Sequence, residues 1–195
     1  WRRVNALATL ADGDVLVLRD DATVARYAAL DGSIVWTRSL DASMETMLVA
    51  GDDRIYAGGP FGALSRGIRT NLLRLDAGDG SVAASAGLPI DSGFVTQLAL
   101  APDGYLVAAW QGSDGDRDLG FARVGAVDLT IDGLVAFGAD DPSAAQGRAA
   151  GLLALADGNV LIASSLDDPL QDGQTFHVTR VTGAFADDIF ANGFE

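Results

Sequence analysis

The sequence predicts an all-β protein, a β-propeller built of four four-stranded antiparallel blades. One acidic turn occurs four times, each time between two apolar runs: Asp12-Gly13, Asp52-Asp53, Asp103-Gly104 and Asp157-Gly158. The intervals between these turns are 40, 51 and 54 residues, close to the roughly 40–50 residues of one propeller blade. Gly and Asp tolerate the positive φ of tight hairpin turns, so each repeat indicates antiparallel strands.

Each unit contains four short runs in the same order. In the first unit they are residues 6–10, 14–18, 24–28 and 34–37. Apolar residues follow one another within the runs instead of alternating, as expected of strands covered on both faces by neighbouring sheets. We therefore predict one propeller domain or fragment over residues 1–195, with blades at about 5–40, 45–86, 94–138 and 149–190.

The two ends of the chain extend this interpretation. The opening residues Trp1-Arg2-Arg3-Val4 resemble Trp36-Thr37-Arg38, the end of a fourth strand. We expect residues 1–4 to be the remnant of a preceding blade, so that the four blades form part of a larger ring, commonly of six to eight blades. A closed four-bladed ring is the alternative. Residues 187–195 are interpreted as a C-terminal tail.

An arginine recurs at one position of the third strand, as Arg26, Arg74, Arg123 and Arg180. A catalytic role repeated four times around a ring is not expected. We expect a structural role instead, in which the aliphatic stem packs between blades and the guanidinium binds carbonyls or a carboxylate.

Composition excludes several classes of partner. The net charge is −14, from 27 acidic residues against 13 basic ones, and every basic residue is Arg. Nucleic acids and anionic membranes need clustered positive charge, so neither is expected as a partner. No apolar run approaches the roughly 20 residues of a transmembrane helix. There is no Cys, which excludes disulfides and thiolate metal sites. The acidity would attract cations or basic partners.

The connections differ between the two ends of the predicted blades. At one end the turns are short and built from Asp and Gly, and they include Asp31-Gly32, Gly78-Asp79-Gly80 and Asp132-Gly133. At the other end the second-to-third loops and the linkers between blades are longer, such as residues 59–70, 111–120 and 166–175. Because binding usually occurs on loops held by a rigid scaffold, we expect a partner at this loop-rich end. Tolerated surface insertions without a role are the alternative.

One cluster has the spacing of metal ligands. Asp114, Asp116 and Asp118 alternate in a Gly-containing loop, where their oxygens would converge on Ca²⁺, a cation that prefers six to eight oxygens. The match to the helix-flanked calcium loop is partial, because Leu119 takes the Gly position and no Glu follows. An exposed acidic loop is the alternative.

The sequence predicts no catalytic and no cofactor-binding residue. The one histidine, His177, lies in a third strand between Phe176 and Val178 and is interpreted as structural, although a base or ligand role is open to any His. No Gly-x-Ser-x-Gly elbow and no phosphate-binding loop is present. Residues 58–62 are Gly-rich and are interpreted as a flexible loop.

Two family resemblances follow from named residues. Units three and four resemble the delta-60 repeat of bacterial proteins through Pro102-Asp103-Gly104, Phe121-Ala122-Arg123-Val124, Asp132-Gly133 and Phe137-Gly138. Units one and two resemble the repeats of pyrroloquinoline-quinone enzymes through residues 29–36 and 75–81. Trp36 occupies the docking position of that repeat, whereas Ala84 stands there in unit two. The C-terminal segment resembles short tails of exported bacterial proteins, which implies an extracellular, cell-surface or periplasmic location.

Three functions follow from this sequence-level picture. The first is a non-enzymatic propeller module that binds a protein or glycan through its loop-rich end. The second is a quinone-dependent or other propeller enzyme with its site near the central channel. The third is a structural module stabilised by calcium at Asp114, Asp116 and Asp118.

Overall fold

A computed structural model describes residues 2–61, 71–88, 93–112, 119–137, 147–168 and 173–181. This part of the chain contains sixteen strands and no helix. The strands form four antiparallel sheets, each taken from one continuous part of the chain apart from one short added strand. The predicted all-β class and the division into four antiparallel blades are confirmed.

The first two sheets have four strands each, paired in chain order apart from β7, which joins the next sheet. Blade 1 consists of β1 (Val4–Thr9), β2 (Val15–Arg19), β3 (Thr23–Tyr27) and β4 (Ile34–Ser39). Blade 2 consists of β5 (Thr46–Val49), β6 (Ile55–Gly58), β8 (Leu72–Leu75) and β9 (Val82–Ala86).

Blade 3 has a fifth, short strand. Its four main strands are β10 (Gly93–Leu100), β11 (Tyr105–Gln111), β12 (Leu119–Gly125) and β13 (Ile131–Phe137), and β7 (Pro60–Phe61) joins them along the edge of β10. Blade 4 shows three strands, β14 (Gly147–Ala154), β15 (Val160–Asp168) and β16 (Gly173–Val181). The end of predicted blade 4, up to about residue 190, the tail 187–195 and Trp1 lie outside the described residues.

The start of the chain differs from the sequence-based expectation. Val4 does not belong to the remnant of a preceding blade, because it pairs with Arg19 as the first residue of β1. The backbone N–H of Asp20 also donates to the carbonyl of Arg3 at 3.1 Å. Residues 3 and 4 are therefore bound to blade 1 itself.

The four acidic turns have one shared geometry. In blade 1 the N–H of Gly13 donates to the carbonyl of Leu10, and the N–H of Asp14 donates to Oδ1 of Asp12. The same two bonds occur in the other three blades. The residue after the first Asp has positive φ in every case, even in blade 2, where Asp53 takes the place of Gly with φ 61.

The turn between β12 and β13 lies at residues 126–130, not at the predicted Asp132-Gly133, which belongs to β13. Leu129 has φ 59 there, in the position that Gly32 and Gly80 hold in blades 1 and 2. Its side chain is buried in the core between blades 2 and 3. Burial of a leucine side chain is worth about 2 kcal/mol, which offsets the left-handed conformation's cost of about 1–2 kcal/mol.

The predicted loops of blade 4 and of the Gly-rich segment are also more ordered than expected. β15 and β16 continue pairing to Asp168 and Gly173, so the hairpin includes most of the segment 166–175. In the Gly-rich segment, Gly58 ends β6 and residues 60–61 pair with β10. A Cβ on Gly59 would lie 2.5 Å from the carbonyl oxygen of Ser43. Glycine is thus required there by close packing.

Each pair of consecutive blades encloses an apolar core. We call the face of a blade that packs on the next blade its leading face, and the opposite face its trailing face. Leu16, Leu18 and Val24 on the leading face of blade 1 pack with Ile55, Ala57, Leu73 and Leu75 on the trailing face of blade 2. The same arrangement joins blades 2 and 3 and, through a smaller cluster, blades 3 and 4.

The blades form an open arc in the part of the chain that the structure describes. The first strands contact one another in order, β1 with β5, β5 with β10 and β10 with β14. A comparable contact between β14 and β1, which would close a ring, is not among the contacts of these residues. This arrangement favours the prediction of a larger ring over a closed ring of four blades.

Trp36 fixes blade 1 on blade 2, and Gly80 makes room for it. A Cβ on Gly80 would lie 2.7 Å from the Trp36 ring, and Gly80 has φ 73. We expect Gly80→Ala to lower the free energy of unfolding by about 2–4 kcal/mol, from the left-handed conformation and the overpacking together. Urea unfolding measures this change.

Gly104→Ala is the matched control, because Gly104 has φ 86 and nothing within 4 Å of its Cβ position. Its free energy of unfolding should fall only by the cost of the left-handed conformation, about 1 kcal/mol. Equal losses in the two variants would contradict the proposed packing of Trp36 on the turn.

Candidate functional site

The end of the blades with the short turns is held by Arg–Asp pairs. Arg26 in β3 pairs through Nη2 with Asp12 and donates from Nε to Asp14 at 2.7 Å. Its Nη1 donates to the carbonyl of Ala77 in blade 2 at 2.8 Å. The guanidinium therefore joins an acidic turn of its own blade to the next blade, which is the structural role that the sequence predicted.

The pairing recurs with variations. Arg180 pairs with Asp157 in blade 4, and Arg123 lies 3.5 Å from Asp103 and 3.4 Å from Asp132 in blade 3. The Arg123 guanidinium also lies 3.8 Å from the centre of the Tyr105 ring, a cation–π contact. In blade 2 the partner of the turn carboxylate Asp52 is Arg54, at 2.6 Å, in place of the third-strand Arg74.

At each of the first two blade boundaries, one turn carbonyl accepts two hydrogen bonds from the preceding blade. Ala77 O accepts from Arg26 and from Trp36 Nε1, the latter at 3.0 Å. The equivalent Ala126 O in blade 3 accepts from Tyr56 at 2.7 Å and from Arg54 at 3.4 Å. Burial raises the pKa of Tyr56, so its hydroxyl stays protonated and remains a donor. This exchange of donors could not be predicted from the sequence.

Backbone donors favour the ionised form of four carboxylates at this end, those of Asp14, Asp31, Asp79 and Asp128. The N–H two residues further on lowers the pKa of Asp31, Asp79 and Asp128, with the hydroxyl of Ser33, Ser81 or Thr130 adding to the effect. The backbone N–H of Ala29 and then the Arg26 guanidinium lower the pKa of Asp14. The carboxylates at the short-turn end are thus already bound by groups of the protein itself, and few are left to bind a partner.

The loop-rich end offers a different surface, organised by the linker of residues 40–45 between blades 1 and 2. Leu40 N–H donates to Ala22 O, Glu45 N–H donates to Gly58 O, and Met44 O accepts from Asn5 Nδ2 at 2.8 Å. The side chain of Met44 is fully buried. The linker is therefore anchored to both blades.

A cleft of about 210 Å³ opens beside this linker. Its walls are formed by Ser39, Leu40, Asp41, Ala42, Leu73, Val82 and Ser85. Leu40 and Leu73 form an apolar floor, whereas Asp41 is exposed and supplies one carboxylate beside the hydroxyls of Ser39 and Ser85. Such a site suits a partially apolar group that carries a positive charge or hydroxyls.

Further polar groups are buried near the same end. The N–H of Leu88 donates to Oδ1 of Asn71 at 2.8 Å. Asn71 Nδ2, Trp110 Nε1 and Gln111 Oε1 are buried without a hydrogen-bond partner. Buried polar atoms in proteins are normally paired, and these three lie where β8 begins and where β11 ends.

The sequence-predicted metal ligands Asp114, Asp116 and Asp118 lie outside the described residues, and the calcium site stays a prediction. Within the described ranges no three His, Cys, Asp or Glu side chains are grouped so that they could hold a metal ion. His177 lies in β16, where its backbone pairs with Ser164. The cleft at Asp41 was not found from the sequence, because its walls come from two blades.

The described part of the chain has no helix long and apolar enough to cross a membrane.

Comparisons with known proteins place this geometry among solved folds. No protein-family model matches the chain, and a search of curated proteins gives no match. The WD40 repeats of RRP9 superpose with a TM-score of 0.59 at 13% identity, over 89% of this chain and 50% of that one. BamB from Moraxella catarrhalis gives 0.56 at 10% identity, over 93% and 51%. The computationally designed Ika4 protein gives 0.58 at 15% identity, over 92% and 91%.

These likenesses show the fold. The chain is a β-propeller arc. It spans about half the length of the RRP9 and BamB structures that it matches. At such low sequence identity the comparisons show the fold and say nothing about activity.

Arg26 should contribute more to stability than an exposed arginine. We expect Arg26→Ala to lower the free energy of unfolding by about 2 kcal/mol, because it removes charge-assisted hydrogen bonds and leaves Asp12 and Asp14 without their partner. Arg2→Ala is the control: Arg2 pairs with Asp21 at the surface, and such pairs contribute about 0–1 kcal/mol. Thermal unfolding of both variants measures the two losses of stability. Equal losses would contradict the role of Arg26.

The lowered pKa values of the turn carboxylates predict acid lability. A carboxyl whose pKa is lower in the folded state stabilises the fold above its unfolded pKa, and this contribution is lost as pH falls through the folded pKa. We therefore expect the urea midpoint to decline below about pH 4.

The combined variant Asp31→Asn, Asp79→Asn and Asp128→Asn tests whether these carboxylates cause the acid lability. Asn keeps an oxygen that can accept the backbone N–H but does not titrate. Its urea midpoint should depend less on pH between about 4 and 2 than that of the wild type. An unchanged slope would contradict the assignment to these turns.

Proposed function

We propose that this chain is a non-enzymatic β-propeller repeat module of an exported bacterial protein that binds a protein partner through its loop-rich end. The cleft beside Asp41 is the observation that carries this proposal. It is the place in the described part of the chain where an anchored linker, an apolar floor and an exposed carboxylate occur together.

The character of the two ends supports the choice of surface. At the short-turn end the carboxylates of Asp12, Asp14 and Asp157 already bind arginines and backbone N–H groups. A ligand would have to displace these partners. At the linker, the backbone is satisfied by both blades, and the side chains of Ser39 and Asp41 project from a fixed base.

Charge favours a basic segment as the bound group. The net charge of −14 attracts positively charged partners over a distance of about one Debye length. An Arg or Lys side chain could place its head on Asp41 and its aliphatic stem on Leu40 and Leu73. A glycan would use the hydroxyls of Ser39 and Ser85 instead, and it remains the alternative occupant.

The repeat type and location belong to the same proposal. Trp36 packs on the turn at Gly80 and donates to Ala77 O, which supports the resemblance of units one and two to the repeats of pyrroloquinoline-quinone enzymes. The delta-60 likeness of units three and four and the likeness of the C-terminal segment to tails of exported bacterial proteins are the basis for proposing export.

Binding of the chain to an array of basic, neutral and acidic peptides and to a glycan array tests the function. We expect basic peptides to bind, and Asp41→Asn to weaken their binding about threefold to fivefold, the size of one exposed ion pair. Asp31→Asn is the matched control, since Asp31 is exposed at the short-turn end.

If the chain instead binds glycans selectively, and salt does not weaken that binding, the partner is a glycan and not a protein. Equal weakening by the two variants would place binding elsewhere and contradict the role of the cleft.

A further inference from the structure

The outer edge of blade 2 lacks the usual protection of a sheet edge. β9 is the last strand of its sheet, and within the described residues it pairs only with β8. Alternate N–H and C=O groups of β9 therefore point outward without a strand partner. Val82, Ala83 and Ser85 of this strand are exposed. Proteins usually protect such an edge with charged side chains or Pro, and β9 contains neither.

The corresponding edges of blades 1 and 3 carry charges. β4 contains Arg38, whose Nε donates to the carbonyl of Asp79 at 2.6 Å. β13 contains Asp132, which lies 3.4 Å from Nε of Arg123. A strand added to either edge would have to desolvate these charges, which is costly. Among the three fourth strands that the structure describes, β9 is thus the one without a charged residue.

The rest of blade 2 holds β9 firmly in place. Ala84 and Ala86 pack against the core between blades 2 and 3. The carbonyl of Ala86 accepts from the N–H of Asn71 at 3.1 Å, and the N–H of Leu88 donates to Oδ1 of Asn71 at 2.8 Å. Asn71 and Leu88 are themselves buried. A partner would therefore meet a fixed edge, and little free energy would be lost in ordering it.

A bulge directs two side chains of β9 towards the cleft beside Asp41. The register between β8 and β9 shifts between Val82 and Ala84, so Ala83 is the extra residue of a β-bulge. Val82 and Ser85 therefore lie on the same face although their spacing is odd, and both line the cleft. A strand added to β9 would place alternate side chains beside these two, next to the cleft.

We propose that β9 binds an extended segment of a partner protein as an additional strand, with one basic side chain of that segment in the cleft at Asp41. This inference rests on the proposed function and specifies how the partner binds. In such complexes main-chain hydrogen bonds supply affinity, and pockets for alternate side chains supply specificity. Here the cleft is the pocket: Leu40 and Leu73 contact the aliphatic stem of an Arg or Lys, and Asp41 binds its charged head.

The charges favour a partner protein over a second copy of this chain. β9 carries no basic residue, so pairing of two β9 edges would leave Asp41 of each copy without a cation. The net charge of −14 on each copy opposes that pairing further. A glycan has no row of backbone N–H groups and would not use the edge.

Fluorescence anisotropy with a capped probe peptide, Thr-Val-Thr-Arg-Thr-Val-Thr, tests the added strand. In an extended peptide only alternate N–H groups face the neighbouring strand. One N-methylated form blocks the third and fifth residues, and its matched control blocks the fourth and sixth. We expect one form to bind about tenfold more weakly or worse and the other to bind like the parent peptide. A peptide with Glu in place of Arg should not bind.

The outcomes separate this inference from the proposed function. If the two N-methylated peptides bind alike, or if the probe does not bind although basic peptides of the array do, the strand addition alone is wrong. If no basic peptide binds, the proposed function is wrong as well. Sedimentation of the chain without peptide tests the second copy. A dimer that Ser85→Lys dissociates would show that another copy occupies the edge, and it would overturn the inference.

Discussion

A sheet that is apolar on both faces needs a neighbour on each side, and the rest of this structure depends on that constraint. Leu16 and Leu18 on one face of blade 1 are fully buried because Ile55 and Ala57 of blade 2 lie against them. Burial of this kind contributes about 25 cal/mol per Å² of apolar surface, but it does not fix the angle between blades. The directed bonds to Ala77 O and Ala126 O supply that orientation.

These bonds also show what is constant in a degenerate repeat. The acceptor is a backbone carbonyl, present whatever the side chain, so the donor can change from blade to blade. Arg26 and Trp36 donate at the first boundary, and Tyr56 and Arg54 donate at the second. Ala84 can replace the docking tryptophan in blade 2 because Tyr56, in the second strand of that blade, reaches the equivalent carbonyl of Ala126. The geometry of the interface is thus conserved while its residues are not.

Local chemistry explains which parts could be predicted from the sequence. The strand order and the acidic turns follow from hairpin rules that act over a few residues, and the turn at Asp12 has the expected bonds. The turn at Leu129 could not be predicted, because its left-handed conformation is stabilised by a core formed with another blade. The cleft at Asp41 was missed for the same reason. The role of the recurring arginine was predicted correctly because it is repeated with its turn Asp in blades 1, 3 and 4.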